Sequence, residues 1–256
     1  MHYSATPNFM VQASSGSFKM ASMHYHSSYE LYYLEVGSRE YFVEDRLFHV
    51  CAGDFVLIPP QMLHRTGGEY GARTLVSFTE HFLESVFSRD AIDRMLQCFK
   101  HTKITPSGLQ RETCRNLLKQ MLASQDDSES AMLLGLLLTE LGKCESQPVG
   151  DDAASAIAGY INANFSSIEN ISQIAEHFYI SKFHLCRLFK KAMQITVIDY
   201  LNQVRIRNAC QMLDYSDMSV SEISDSCGYH SVSYFSNVFK KITGRSPSEY
   251  RGEAQE

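Results

Sequence analysis

Four residues near the amino terminus carry the donors of a metal site or a polar-ligand site. His24, His26 and Glu30 fall in the pattern H-x-H-x3-E-x6-G, which closes at Gly37. A second pattern, G-x5-P-x-Q-x2-H, runs from Gly53 through Pro59 and Gln61 to His64. If the first stretch is a strand, residues two apart point the same way and Glu30 keeps that parity, so two imidazoles and a carboxylate share one side. His64, from a later strand, completes three histidines and one carboxylate. That donor set suits a divalent metal such as zinc, manganese, iron or nickel. In an enzyme the metal would activate water or oxygen. The same groups can instead line a pocket for a small polar molecule, or serve the fold through hydrogen bonds. Tyr25, Tyr29, Tyr32, Tyr33 and Tyr41 add faces and hydroxyls that suit a sugar, although tyrosines are also ordinary strand residues.

The elements that must hold these groups are strands. Residues 31–36, 39–44 and 54–59 are short aromatic and branched runs, punctuated by Gly37, Gly53, Pro59-Pro60 and Gly67-Gly68. Such spacing predicts a small barrel or sandwich. From Glu80 the period becomes helical: Ile92, Met95, Leu96 and Phe99 form one stripe, then Leu117, Leu118, Met121 and Leu122. A third stripe, Leu133, Leu134, Leu137, Leu138 and Leu141, is wide enough to pack on the barrel. Residues 145–152 are polar, carry Pro148 and Gly150, and read as a linker. Beyond them the chain is helical, with capping boxes expected at Ser219–Glu222 and Ser246–Glu249.

The helical end contains a duplication. Residues 171–196 and 220–246, aligned on Phe-Lys-Lys, match at Ile174 with Ile223, Phe189 with Phe239, Lys190 with Lys240 and Lys191 with Lys241. Each unit is a short helix, a tight turn and a second helix with a basic end, the layout of a helix-turn-helix. A connecting helix over 197–214 would be roughly 27 Å long at 1.5 Å per residue. With the ends of the units added, two second helices can then sit about one DNA turn, roughly 34 Å, apart.

Composition sets limits on all of this. The 256 residues are 44% hydrophobic and 20% charged, so the chain can bury a core. The longest apolar run, 131–138, falls short of the roughly 18 to 20 residues that cross a bilayer. The opening MHYSATPNFM lacks the basic flank and apolar segment of a signal peptide, and a cytoplasmic, non-membrane protein is expected. Seven cysteines without a C-x-x-C pair read as buried small hydrophobes in a reducing compartment. The net charge of −6 argues against nucleic acid, yet residues 171–251 hold ten bases against seven acids. Several of these bases cluster in two short stretches, which a solvated helical face would also produce.

The run over residues 223–251 resembles the AraC/XylS family of bacterial transcription regulators. It has the Gly228-Tyr229 turn, Tyr234-Phe235, Phe239-Lys240-Lys241, Gly244, Ser246-Pro247 and Tyr250-Arg251 in order. The resemblance covers about 152–251; the first unit departs from it at Tyr179 and Gln194, where the family has glycine. The histidine motifs likewise resemble those of the cupin barrel, with Gln61 where the second has glycine. The resemblance implies groove-facing residues at Lys182, Phe183, Cys186 and Arg187, and at Ser231, Val232, Ser233, Tyr234 and Asn237. Arg187 would read guanine, Asn237 could pair with adenine, and Lys190, Lys191, Lys240 and Lys241 would hold phosphates. Core packing is the alternative for Phe183 and Tyr234. It further implies promoter DNA, RNA polymerase and a second copy of the chain as partners, the copy docking through the leucine helices; an intramolecular core explains the same leucines.

The expected protein is α+β and multi-domain, and is not an enzyme. A cupin-like effector-sensing barrel spans 1–80, a helical extension with a dimerisation role 81–144, a linker 145–152, and an all-α double helix-turn-helix 153–256. His24, His26, Glu30 and His64 would bind the effector, a small polar molecule such as a sugar, or a divalent metal. The rival is a metal-dependent cupin enzyme, which leaves the last hundred residues without a purpose. A protein-binding helical module is a second rival.

Overall fold

The short aromatic and branched runs pair into two antiparallel sheets. The computed structural model describes residues 8–17, 23–44, 46–67, 70–144 and 153–253. In chain order the strands are β1 (Phe9–Ser17), β2 (Tyr29–Val36), β3 (Ser38–Val43), β4 (Arg46–Cys51), β5 (Phe55–Ile58), β6 (His64–Gly67), β7 (Tyr70–Phe78) and the short β8 (Lys103–Ile104). One sheet has the order β1-β7-β2-β5-β8 and the other β4-β3-β6. The barrel is therefore a cupin-like sandwich of two sheets and not one continuously hydrogen-bonded cylinder.

Alternation along the strands sorts their residues into layers. Tyr32, Leu34, Tyr41, Val43, Phe48, Val50, Val56 and Ile58 fill the space between the sheets. The other face of the large sheet, with Leu31, Tyr33, Leu57, Val76 and Phe78, is covered by α1 (Glu80–Glu84), α2 (Arg89–Met95), a 3-10 turn (Leu96–Lys100), α3 (Gly108–Ala123) and α4 (Asp127–Gly142). All five leucines of the third stripe are buried in this core, so they seal the sheet and offer no surface to a second copy. The apolar side chains that α3 and α4 expose are Leu109, Leu122, Met132 and Leu136. The expected linker, 145–152, lies outside the described residues.

The carboxy-terminal half comprises α5 (Ala153–Asn164), α6 (Ile171–His177), α7 (Lys182–Met193), α8 (Val197–Tyr215), α9 (Val220–Ser226), α10 (Val232–Thr243) and α11 (Pro247–Glu253). Polar side chains fix where these helices begin. Asn170 with Gln173, and Ser219 with Glu222, form reciprocal capping boxes. Ser246 and Glu249 exchange the same pair of bonds at α11. The cysteines differ from expectation: Cys98, Cys114, Cys210 and Cys227 are buried, but Cys51 is exposed and Cys144 and Cys186 are half-buried. They occupy whatever small-residue positions the packing leaves.

Both units keep left-handed residues at the same places, with or without glycine. Tyr179 has φ 53° where the second unit has Gly228 at 77°, and Gln194 has φ 56° where it has Gly244 at 87°. The first unit thus accepts local strain to keep the turn geometry. Gly228 is constrained further, since an added Cβ would lie 2.4 Å from the Ser166 carbonyl oxygen. In urea titrations Gln194→Gly should stabilise the chain by about 1 kcal/mol or less, because a left-handed residue loses its Cβ clash. Gly228→Ala should destabilise it by more than Gly244→Ala, whose Cβ would meet nothing within 4 Å.

Candidate nucleic-acid interface and sensor site

The second helix of each unit buries one stripe and exposes another. Leu185, Phe189 and Met193 anchor α7, and Phe235, Phe239 and Thr243 anchor α10. Over 181–194 and 231–244 the order of exposed, half-buried and buried positions is identical. Lys182, Phe183, Arg187, Lys190 and Lys191 are exposed on α7, with Cys186 half-buried. Ser231, the N-cap of α10, and Val232, Ser233, Tyr234, Asn237, Lys240 and Lys241 are exposed in the second unit. Phe183 is 89% exposed and Tyr234 54%, so neither belongs to the helical core. Lys190 and Gln194 of the first unit line one open groove with Tyr234, Asn237 and Lys241 of the second. Sequence reasoning missed Gln194, and also His184, whose Nδ1 lies 3.4 Å from an Arg187 nitrogen.

The two units are tied through α8. Arg205, 8% exposed, donates from Nε to the Phe165 carbonyl at 2.9 Å and from a terminal nitrogen to the Ile168 carbonyl at 2.6 Å. Its guanidinium also sits 5.1 Å from the Tyr229 ring centroid, and its burial lowers its pKa. One cation from the connecting helix thus grips the loop before α6 and the turn before α10. Although sequence counting placed Arg205 among the bases, it is a structural group.

The histidine set converges as well, though by a different route from strand parity. Residues 25–28 are not in a strand; His24 makes only an isolated bridge, its backbone N–H and C=O pairing with His64 at 3.0 and 2.9 Å. The His24 and His64 ring centroids are 4.2 Å apart and those of His26 and His64 4.9 Å apart. Glu30, the second residue of β2, places Oε2 3.2 Å from His26 Nε2 and 3.9 Å from His64 Nε2. Gln61, standing where the cupin motif has glycine, adopts φ 65° and donates its backbone N–H to the His26 carbonyl at 2.8 Å.

Charge in this cluster is set by burial and proximity. Burial opposes ionisation of Glu30, but the His26 hydrogen bond and the neighbouring histidines hold it down at about 2. Burial pushes His64 down to about 3, which keeps it neutral at ordinary pH. Burial would also lower His26, yet its hydrogen bond and charge contact with Glu30 raise it above the usual value. Beyond His64 on β6, Thr66 Oγ1 is buried without a hydrogen-bond partner among the described residues. Of the five tyrosines, Tyr32 and Tyr41 lie between the sheets, Tyr29 and Tyr33 pack beneath the helices, and Tyr25 turns toward the carboxy-terminal half.

The back of the same segment meets α8. Met23, Phe42 and Leu63 share a core with α5, α7 and α8. Tyr25 donates to Cys210 Sγ at 3.2 Å, and Tyr200 donates to the Glu44 carbonyl at 2.8 Å. The Glu44 carboxylate pairs with Arg207 and accepts the Leu63 backbone N–H at 3.2 Å. No spacing pattern in the sequence announces these contacts.

A two-sheet sandwich with a polar cluster inside, joined to paired helix-turn-helix units with exposed basic faces, has the architecture of regulators that join a ligand-binding domain to a DNA-binding domain. The family model of the AraC-like ligand binding domain matches residues 13–142, and that of a helix-turn-helix domain matches 174–253. The chain is 31% identical over 157 residues to the uncharacterized HTH-type transcriptional regulator YijO of Escherichia coli, covering 61% of this chain and 51% of that one. It is 27% identical to the uncharacterized HTH-type transcriptional regulator YfiF of Bacillus subtilis, over 90% of this chain and 78% of that one. It is 26% identical to the arabinose operon regulatory protein of Escherichia coli, over 83% and 76%. The matched region thus spans about half the length of the first relative and about three quarters of the others. The chain belongs to the AraC/XylS family of transcription regulators.

Arg205→Met keeps the length of the side chain and removes its donors, leaving the buried Ile168 and half-buried Phe165 carbonyls without this partner. A loss of about 2–4 kcal/mol is expected in chemical denaturation of the full chain.

Proposed function

We propose that α7 and α10 enter successive major grooves of promoter DNA and that a small polar effector inside the sandwich changes how well they do so. The matching exposed faces of the two helices carry this reading. Phe183, 89% exposed, takes no part in the core and is available to a partner's surface. Arg187 reads a guanine, since a guanidinium donates two parallel bonds to its edge; Asn237 pairs likewise with adenine. Lys182, Phe183, Cys186, Ser231, Val232, Ser233 and Tyr234 complete the groove-facing surface. Lys190, Lys191, Lys240 and Lys241 hold phosphates and fix the register.

The effector, of which a sugar is one example, meets His24, His26, Glu30 and His64, with Thr66 and the inner tyrosines behind them. Its binding favours one arrangement of the contacts from Tyr25 and Glu44 to α8, and so shifts the population competent for DNA. A second copy docks on the exposed apolar residues of α3 and α4, and RNA polymerase is the partner downstream. The protein acts in the cytoplasm, where the DNA is, as a regulator and not as an enzyme.

Binding to operator and random duplexes tests the assignment. Arg187→Ala should cost about 1–3 kcal/mol on the operator and little on random DNA; equal losses on both would remove its base-reading role. Lys240→Ala should weaken both and flatten the salt dependence by about one phosphate contact. Glu44→Gln, which removes the charge facing Arg207, should leave random-DNA binding intact while changing the effector's influence on operator affinity.

A further inference from the structure

The histidine cluster has features that an organic effector alone leaves unused. One ligand atom from each of His24, His26 and His64 lies within 4.8 Å of the others. Two imidazole nitrogens bound to one ion at about 2.0–2.1 Å stand about 3–4 Å apart, so a closing movement of about 1 Å completes the set. Two of the three rings are held by their outer nitrogen. His26 Nδ1 faces the Ser28 carbonyl and His64 Nδ1 the Met62 carbonyl, each at 2.8 Å. A carbonyl only accepts, so Nδ1 carries a proton on both rings; His64 Nε2 is then an unshared lone pair directed inward, while His26 Nε2 donates to Glu30 and releases that proton when a metal binds. This is the outer hydrogen bond that orients metal-ligating histidines.

Two further observations point to a missing cation. His64 is fully buried, and its Nε2 has no hydrogen-bond partner in the described structure. Glu30 is a buried carboxylate whose ion-pair partners among the described residues are His26 and His64, with no lysine or arginine among them. Three imidazole nitrogens and one carboxylate, with His64 and Glu30 deeply buried, form a site for an ion that prefers nitrogen. Magnesium and calcium, which take oxygen ligands, fit it poorly.

We propose that His24, His26 and His64, with Glu30, bind one divalent transition-metal ion of the zinc and cobalt class. The site deepens the sensor reading, since it lies in the same cluster, but metal uptake needs no DNA and is measured without it. Full-length protein stripped with a chelator is titrated with Zn2+, Co2+ and Mg2+. Binding is followed by calorimetry, by metal analysis after gel filtration, and by the visible bands of Co2+ on nitrogen ligands. One equivalent of Zn2+ or Co2+ per chain, with Mg2+ ignored, is the expected result. His64→Ala and the half-buried His26→Gln should each weaken uptake more than about tenfold, whereas the exposed His81→Ala should not. If His64→Ala fails to fold, His26→Gln and His24→Asn carry the comparison. Absence of stoichiometric uptake by the wild-type chain, or uptake unchanged in those variants, would overturn the site. Operator binding by the same stripped sample judges the regulator reading separately.

Discussion

One thin sheet with two occupied faces governs the molecule. Successive residues of a strand point to opposite sides, so β3, β6 and the extended segment before β2 cannot serve the sandwich interior without also serving its outside. His24, His26, His64, Tyr41 and Val43 look inward, while Met23, Tyr25, Leu63 and Phe42 between them pack on the helices of the other half. A single layer of backbone therefore separates the polar cluster from the helix that joins the two DNA-binding units. Anything that draws the three imidazoles together moves residues whose neighbours hold α8. In the proposed mechanism sensing and response share peptide bonds, and no long chain of intermediates is needed between them.

The second requirement is that the two units move as one body. α8 supplies it with the buried guanidinium of Arg205, which caps carbonyls of the first unit and stacks toward the second. Gly228 belongs to the same device: the space its missing Cβ leaves is filled by the Ser166 carbonyl and an Arg205 nitrogen. Rigid pairing gives the spacing between α7 and α10 a meaning, because a fixed separation is what a duplex with a fixed helical repeat can recognise. The opposite side of α8, with Tyr200, Arg207 and Cys210, is left for the sandwich.

Much of this was legible in the sequence because it repeats or because it is local. The helix starts followed from Ser219, Glu222, Ser246 and Glu249, whose bonds reach only three residues. The second helix of each unit followed from the shared Phe-Lys-Lys and the helical period. Convergence of His24, His26, Glu30 and His64 was foreseen, but through a strand that does not exist; an isolated bridge and the left-handed Gln61 bring them together instead. Long-range pairings were not legible. Glu44 with Arg207, Tyr25 with Cys210 and Arg205 with two carbonyls join residues up to 185 positions apart, and each is an unremarkable residue in its own neighbourhood. The five leucines of α4 show the same limit: a stripe reports that a face is buried, not what buries it.

The charge distribution gains sense from these placements. Of the ten bases between 171 and 251, Arg205 is spent on carbonyls, Arg207 on Glu44, and Arg251 donates to the Met218 carbonyl at 2.6 Å. Six of the ten, Lys182, Arg187, Lys190, Lys191, Lys240 and Lys241, stand on the exposed faces of α7 and α10, and an acid of α8, Asp199, lines the groove between them. In the proposed complex these few cations set the sequence-independent attraction, because each phosphate neutralised contributes its own share of released counterions. In the proposed complex, discrimination of the operator from other DNA then comes from both helices making their base contacts together. That dependence is what makes regulation through the sandwich effective: an effector supplies only the difference between its affinities for two arrangements, commonly 1–3 kcal/mol. Such a difference changes little when nonspecific attraction dominates. It changes occupancy several-fold when, as proposed for this chain, binding rests on two helices being held at one separation.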